Sequence, residues 1–269
     1  MTRIRLGAVG YLNARPLVFG LDRSPRFHVR YDIPAECARL LHAGATDLGL
    51  IPSIEFLRGP EPYRIVPEVA VASDGAVASV ALYTKGPIDA VRTIAMDATS
   101  RTSVALVGVL CARLWNIQPR IESRAPDLTT MLDGVDAALI IGDNALLWSP
   151  EDVRCAGGLA GDVEKIDLGS AWKELTGLPF VYAVWAGRDG AVDAAGVAAL
   201  QEARSRGIAG VDTIAREYFG DPVRQRIAAR YLRDNIKCYL GDRERTALET
   251  FYRYASDLGL ARHSPLRFF

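Results

Sequence analysis

One short stretch of the chain combines four hydroxyl groups with a guanidinium group: Thr99-Ser100-Arg101-Thr102-Ser103. It follows an apolar run that is typical of a buried strand, and the residues after it place apolar side chains at helical spacing. The stretch is therefore predicted to lead from a strand into a helix. Free N–H groups at a helix start attract anions, and arginine can hold a carboxylate through two hydrogen bonds. We interpret this stretch as a candidate carboxylate-binding site.

A simpler interpretation of the same residues is an ordinary helix cap, because one serine or threonine satisfies the first turn. Arg101 could also be a surface residue that pairs with Asp97. Four hydroxyls and an arginine exceed what a cap needs, so the anion site is favoured.

Other polar side chains also follow predicted strands. Further candidate substrate contacts are Tyr11, Ser53, Asp143 and Asn144, and the candidate catalytic hydrogen-bond donors are Asn13 and Ser79. Ligands bind at the carboxyl edge of open parallel sheets, so these side chains are expected around one cleft. Each also has a structural alternative: Asn13 and Ser53 could be helix caps, Ser79 a satisfied buried hydroxyl, and Asp143 and Asn144 turn residues.

Strands and helices alternate along the chain, which predicts βαβ units and parallel sheets. Helices are expected over 103–115, briefly over 128–132, and from 192 onward, with a loop over 157–161. Two strand-rich segments connect a first α/β series to a second. This pattern predicts an α/β protein of two lobes with the ligand cleft between them. The first lobe is expected to comprise 1–84 and 184–269, and the inserted second lobe 85–183.

Composition excludes several classes of protein. The chain has 269 residues, with 32 basic and 32 acidic side chains, which argues against nucleic-acid binding. No apolar run reaches the ~18 residues of a membrane span, and no export signal is evident, so a cytoplasmic location with reduced cysteines is expected. The four cysteines and three histidines are scattered, which predicts no metal site. The sequence leaves the number of subunits open.

Four motifs together resemble the MqnA family, the chorismate dehydratases of the futalosine route to menaquinone. They are Gly10-Tyr11-Leu12-Asn13-Ala14-x-Pro16, Asp47-Leu48-Gly49-Leu50-Ile51-Pro52-Ser53, Ser100-Arg101-Thr102-Ser103-Val104-Ala105-Leu106 and Thr176-Gly177-Leu178-Pro179-Phe180-Val181. The resemblance spans roughly residues 4 to 260. It implies a type II periplasmic-binding-protein-like fold and conversion of chorismate to 3-[(1-carboxyvinyl)oxy]benzoate and water. It implies neither a metal nor an organic cofactor.

Three other functions are considered. The sister enzyme MqnD, a 1,4-dihydroxy-6-naphthoate synthase, shares the fold, but it is expected to carry a glycine and paired threonines at the second-lobe helix start. A solute-binding protein for a small anion would have the same fold but need export. A ligand-sensing domain of a transcription regulator would need a DNA-binding segment.

The dehydration requires a base and a donor for the departing hydroxyl. The hydroxyls and amides of the predicted cleft are poor bases, and its only carboxylates are Asp97 and Asp143. We therefore hypothesise that the enolpyruvyl carboxylate of the substrate removes the proton. Asn13 and Ser79 would then hydrogen-bond the leaving hydroxyl.

Overall fold

Two five-stranded sheets organise the computed structural model, which describes residues 3–127, 130–158 and 161–269. The strands of the first sheet are β1 (Ile4–Val9), β2 (Phe27–Asp32), β3 (Leu48–Pro52), β4 (Arg64–Ser73) and β10 (Phe180–Gly187). Those of the second sheet are β5 (Val80–Thr84), β6 (Thr93–Asp97), β7 (Arg120–Arg124), β8 (Ala137–Ile141) and β9 (Glu164–Asp167). The two-lobe α/β architecture predicted from the sequence is confirmed.

The first sheet has the order β2-β1-β3-β10-β4. β1 is parallel to β2 and β3, whereas β10 is antiparallel to both of its neighbours, β3 and β4. The sheet is therefore mixed rather than purely parallel, because β10 returns from the second sheet instead of arriving through a right-handed crossover helix. All five residues of β3 are buried, as expected for a strand covered on both faces.

The second sheet has the order β7-β6-β8-β5-β9 and repeats this arrangement. β6 is parallel to β7 and β8, and β5 is antiparallel to β8 and β9. β9 is an edge strand without a fully buried residue, which explains why its sequence carries no apolar strand signal.

Nine α-helices of the described residues cover the sheets. They are α1 (Pro34–His42), α2 (Thr102–Arg113), α3 (Gly142–Leu147), α4 (Pro150–Ala156), α5 (Leu168–Thr176), α6 (Ala194–Ala209), α7 (Val211–Tyr218), α8 (Pro222–Asp234) and α9 (Asp242–Asp257). Short 3₁₀ helices occur at Leu12–Val18, Leu21–Arg23, Ser53–Phe56 and Ile88–Ala90. No helix within the described ranges is long and apolar enough to cross a bilayer.

The chain passes between the sheets at two segments, 74–79 and 168–179. The expected boundaries at 84/85 and 183/184 differ from these, because β5 pairs within the second sheet and β10 lies wholly within the first. The glycine and proline of Lys85-Gly86-Pro87 favour a break in the chain, which is why the boundary was expected there, but the segment forms only a bend after β5. The carboxylate of Asp167 fixes the first crossing by accepting from the backbone N–H groups of Val77 (3.0 and 3.1 Å) and Ala78 (2.6 Å).

Apolar packing continues from one lobe into the other. Trp172 of α5 lies edge-on to Phe180 and Phe251, with ring centroids 5.2 and 6.0 Å apart. The buried face of α2 belongs to the same core cluster, while a smaller separate cluster lies behind the second sheet. This shared core fixes where the start of α2 points relative to the first sheet.

Two local predictions fall partly outside the described residues. Of the short helix expected over 128–132, residues 128 and 129 are not described, and 130–132 form a turn. Of the loop expected over 157–161, residues 159 and 160 are not described. Helices α3 and α4 were not predicted, since each is only one or two turns long.

Candidate active site

A cleft opens between the two sheets, where β1, β3, β6 and β8 end. Its walls are largely apolar, and its polar groups converge from both lobes. It is lined by Val9, Tyr11, Asn13, Ala14, Pro34, Leu50, Pro52, Val71, Val80, Ser100, Arg101, Thr102, Ser103, Ile141, Gly142, Tyr182 and Ala183. An apolar pocket with a few convergent polar groups is the usual form of a small-molecule site.

The start of α2 carries the cationic side of the cleft. Arg101 occupies the N-cap position, and no side chain caps this helix. The cap interpretation of these hydroxyls is therefore wrong. Asp97 instead accepts from the Thr99 N–H at 2.8 Å and the Thr99 hydroxyl at 2.7 Å, so it does not pair with Arg101. Arg101 is exposed, and its side chain makes no hydrogen bond or ion pair with any described residue, which leaves the guanidinium available to an anion.

Ser53 of the first lobe and Thr102 of the second lobe contact each other beside the cleft. The hydroxyl of Ser53 donates to the carbonyl of Val181 at 2.8 Å and lies 3.4 Å from the hydroxyl of Thr102. The Thr102 hydroxyl oxygen in turn accepts from the Ile54 N–H at 3.2 Å. Ser53 is fully buried and does not cap its 3₁₀ helix, so the cap interpretation is wrong here too.

Asn13 and Ser79, the two candidate catalytic donors, both lie near Tyr231 on α8. The Ser79 hydroxyl lies 2.6 Å from the Tyr231 hydroxyl, and the Asn13 amide lies close enough to lower the pKa of that tyrosine, against the burial that raises it. Asn13 lines the cleft from within a 3₁₀ helix and is not its N-cap. Ser79 is 1% exposed and lies directly before the cleft residue Val80. The structure therefore places both candidate donors beside Tyr231, with Ser79 in contact with its hydroxyl behind the cleft wall.

Tyr11 packs against the second lobe through its ring. Gly142 has a φ of +67°, and a Cβ on it would lie 3.1 Å from Tyr11 ring carbons, so only glycine fits both the backbone and the space. The Tyr11 hydroxyl lies 3.4 Å from the hydroxyl of Thr99, which donates to Asp97. Tyr11 is thus a first-lobe residue that lines the cleft and packs against the second lobe.

Asp143 connects the lobes beside the cleft rather than within it. One carboxylate oxygen accepts from the Leu12 N–H at 3.3 Å, and the other accepts from the hydroxyl of Tyr218 on α7. Neither Asp143 nor Asn144 lines the cleft, since both lie on α3 behind Gly142. The turn interpretation of these two residues is wrong as well, because they begin a helix.

Both aspartates near the cleft favour their protonated form more than usual. Burial raises the pKa of Asp97 above its ordinary value, against the hydrogen bonds from Thr99 that lower it. Burial likewise raises the pKa of Asp143, against the hydrogen bonds from Tyr218 and Leu12. Their oxygens are already engaged by the protein, and neither carboxylate reaches the cleft lining.

The structure thus places Tyr11, Asn13, Ser100, Arg101, Thr102 and Ser103 on the cleft and leaves Ser53, Ser79, Asp143 and Asn144 outside its lining. Two tyrosines were not singled out from the sequence. Tyr182 lines the cleft from β10, with its hydroxyl 3.2 Å from that of Ser73. Tyr231 lies on an α8 whose pattern is purely amphipathic, so no sequence signal distinguishes it from a core residue. Among the described residues, no group of three or more histidine, cysteine, aspartate or glutamate side chains could hold a metal ion.

The similarity to known proteins extends over nearly the whole chain. A protein-family model described as menaquinone biosynthesis matches residues 4–257. A chorismate dehydratase from Thermus thermophilus is 35% identical over 264 residues, covering 95% of each chain. The similarity therefore includes both lobes and every polar loop of the cleft.

Solved structures share the fold at low identity. A protein from Archaeoglobus fulgidus superposes with a TM-score of 0.70 at 16% identity, covering 96% of this chain and 98% of that one. The alkanesulfonate-binding protein from Xanthomonas axonopodis pv. citri, bound to MOPS, has a TM-score of 0.63 at 15% identity, covering 98% and 95%. These neighbours identify a periplasmic-binding-protein-like fold.

Proposed function

This chain belongs to the menaquinone-biosynthesis family, and we propose that it is a chorismate dehydratase that acts as a carbon–oxygen hydro-lyase on the futalosine route. The observation that carries the proposal is the 35% identity to a chorismate dehydratase over 95% of both chains. The site supports it independently, since an unpaired arginine at a helix start suits a substrate that bears two carboxylates.

The cleft offers a separate environment to each part of chorismate. Arg101, with the first turn of α2, would bind one carboxylate. The apolar side chains Leu50, Val80 and Ile141 would pack against the ring. A dry apolar wall favours the flat aromatic product and strengthens the electrostatic grip on the carboxylate.

The reaction removes a proton from the ring carbon that bears the enolpyruvyl ether and expels the ring hydroxyl as water. The electrons of the C–H bond enter the ring, which becomes aromatic as the C–O bond breaks. The departing oxygen takes up the proton that the base removed, so one water leaves and the base is regenerated. Among the described residues that line the cleft, none is a carboxylate or a histidine. This supports the enolpyruvyl carboxylate of the substrate as the base.

The protein would then contribute conformation and hydrogen bonds. Asn13 lines the cleft and can donate to the leaving hydroxyl, with Ser79 supporting it from behind the wall. Donors held in place before the reaction lower the barrier because they need no reorganisation. The chemistry calls for neither a metal nor an organic cofactor, and the proposed location is cytoplasmic.

The proposal is tested by incubating the purified protein with chorismate and identifying the products by mass spectrometry. We expect loss of one water per chorismate and an ultraviolet spectrum that changes to that of a substituted benzoate. The Asn13→Ala variant, incubated with chorismate under the same conditions, controls for aromatisation that the protein does not catalyse.

Two outcomes would contradict the proposal. Tight binding with an unchanged spectrum would indicate a solute-binding protein. Inertness toward chorismate together with turnover of cyclic dehypoxanthinylfutalosine would indicate the sister naphthoate-forming enzyme.

A further inference from the structure

We infer that Tyr231 is a positioning residue for the dehydration, which sets the Asn13 amide and the Ser79 hydroxyl in their donating orientations. The inference rests on the proposed function. It concerns a residue of α8 that is 3% exposed and does not line the cleft, so it acts through its two partners.

The geometry joins three separate parts of the fold at one hydroxyl. Asn13 lies in the 3₁₀ helix after β1, Ser79 lies in the first crossing segment, and Tyr231 lies in the last turns of α8. The Ser79 oxygen is 2.6 Å from the tyrosine oxygen, and the Asn13 amide is near enough to the same hydroxyl to lower its pKa. Residues 13 and 79 therefore meet a side chain that is more than 150 positions away from both of them in the sequence.

The donors and acceptors around the Tyr231 hydroxyl can be arranged in one consistent order. Asn13 lowers the pKa of Tyr231, which is the effect of a donor, so its NH₂ group is taken to face the tyrosine oxygen. The single tyrosine proton is then directed to Ser79. The Ser79 hydroxyl proton is then free to point away from Tyr231. Burial raises the pKa of Tyr231 far above its ordinary value, so the hydroxyl keeps its proton at all working pH values.

Loss of the tyrosine hydroxyl would release both partners. The Asn13 amide could turn over and present its carbonyl oxygen to the leaving hydroxyl, which is a repulsive contact with an atom that needs a donor. The Ser79 hydroxyl could rotate its proton into the space that the tyrosine oxygen vacates. Neither change removes a group that binds the substrate carboxylates.

Tyr83 offers a matched control. It is fully buried in the second lobe, and its hydroxyl donates to the Trp148 carbonyl at 2.8 Å. Tyr83→Phe therefore removes a buried, hydrogen-bonded tyrosine hydroxyl, as Tyr231→Phe does, but away from the cleft. Both variants keep the ring, so both are expected to fold with similar small losses of Tm.

The experiment compares kcat, KM and Tm of the wild type, Tyr231→Phe and Tyr83→Phe with chorismate as substrate. We expect Tyr231→Phe to lower kcat roughly 10- to 100-fold, because misplacement of a reacting contact costs up to about that much. Its KM should stay within about threefold, since Arg101 and α2 are intact. Tyr83→Phe should match its Tm and retain the wild-type kcat.

Ser79→Ala supplies a second arm that does not depend on the tyrosine ring. Because Tyr231 acts partly through Ser79, the double variant should lose less kcat than the product of the two single losses. Strict multiplication of the two losses would overturn the inference, and so would an unchanged kcat in Ser79→Ala.

The remaining outcomes separate this inference from the proposed function. An active wild type with an unchanged kcat in Tyr231→Phe would overturn the inference alone, as would a change confined to KM. A wild type that yields no aromatic product would overturn the proposed function, and the inference with it.

Discussion

At the scale of single residues, Arg101 is notable because it has no partner among the described side chains although it stands on the cleft. Most arginines with described ion pairs, such as Arg5 with Asp47 at 2.6 Å, are held on the surface. An unpaired guanidinium at a helix start keeps its full binding capacity for an incoming anion.

Arg101→Ala should therefore raise the KM for chorismate roughly 10- to 100-fold, since a hydrogen bond to a charged group contributes about 1.5–3 kcal/mol. Steady-state kinetics would measure this. Arg262→Ala removes an exposed arginine that does not line the cleft and should leave KM unchanged. Unchanged kinetics in a folded Arg101→Ala would remove Arg101 from the site.

Asn13→Ala should lower kcat by ~10²–10³, the usual effect of losing one preorganised donor. Asp143→Asn should lower it much less, because Asp143 does not line the cleft and the substrate is proposed to supply the base. Rapid-quench measurements of a single turnover would compare the two. If Asp143→Asn is as inactive as Asn13→Ala while binding and fold survive, a protein carboxylate is the base.

The sequence predicted the polar loops of the cleft better than the role of each side chain. Residue type and strand position indicated Tyr11, Asn13 and the 100–103 stretch, and all of them line the cleft. Asp143 lies in the same kind of loop but turns toward Leu12 and Tyr218. Which way a loop side chain turns depends on partners distant in sequence, and periodicity carries no information about them.

At the scale of elements, apolar runs such as 4–9 and 137–141 predict strands that the structure contains with the same bounds, whereas the exposed edge strand β9 carries no such signal. α2 begins at Thr102, one residue before the predicted start. The crossing points were misplaced because Lys85-Gly86-Pro87 is a stronger local breaker than Asp74-Gly75-Ala76. The crossing after that segment is fixed by hydrogen bonds from the Val77 and Ala78 N–H groups to Asp167, which lies in another strand.

The contact between α3 and the first lobe should make stability depend on pH. Burial raises the pKa of Asp143, so the folded protein binds this proton more tightly than the unfolded chain does. Its carboxyl therefore favours folding fully below the ordinary aspartate pKa of about 3.9, and this contribution is lost as pH rises through the raised value. Asparagine does not titrate, yet its carbonyl oxygen can still accept from Leu12 while its NH₂ donates to Tyr218.

The Tm of Asp143→Asn relative to wild type should consequently improve as pH increases from about 4 to about 7. Calorimetry across this pH range would measure the Tm difference. Both proteins contain Asp97, so the effect of its titration cancels from that difference. A Tm difference that is flat, or that worsens with pH, would show that Asp143 does not titrate as described.

At the scale of the whole molecule, the two sheets face each other across a cleft whose described lining contains no carboxylate, histidine or cysteine. Activity should therefore survive exhaustive treatment with a chelator, since metals need such ligands. Product formation before and after dialysis against EDTA would test this. Loss of activity that a divalent ion restores would contradict it.

The position of β10 also has a consequence for synthesis on the ribosome. β10 separates β3 from β4, and it is made long after both, so the first sheet to emerge cannot be completed until residue 187 has been translated. The second sheet, in contrast, is contiguous in the chain from β5 to β9. The lobe that is begun first should thus be finished last, with its apolar strands open to other proteins for some seconds at ~5–20 residues per second. A fragment that ends at Thr176, once released from the ribosome, should protect the second sheet between residues 80 and 167 from protease and leave 4–73 sensitive. Equal protection would mean that β1 to β4 associate without β10.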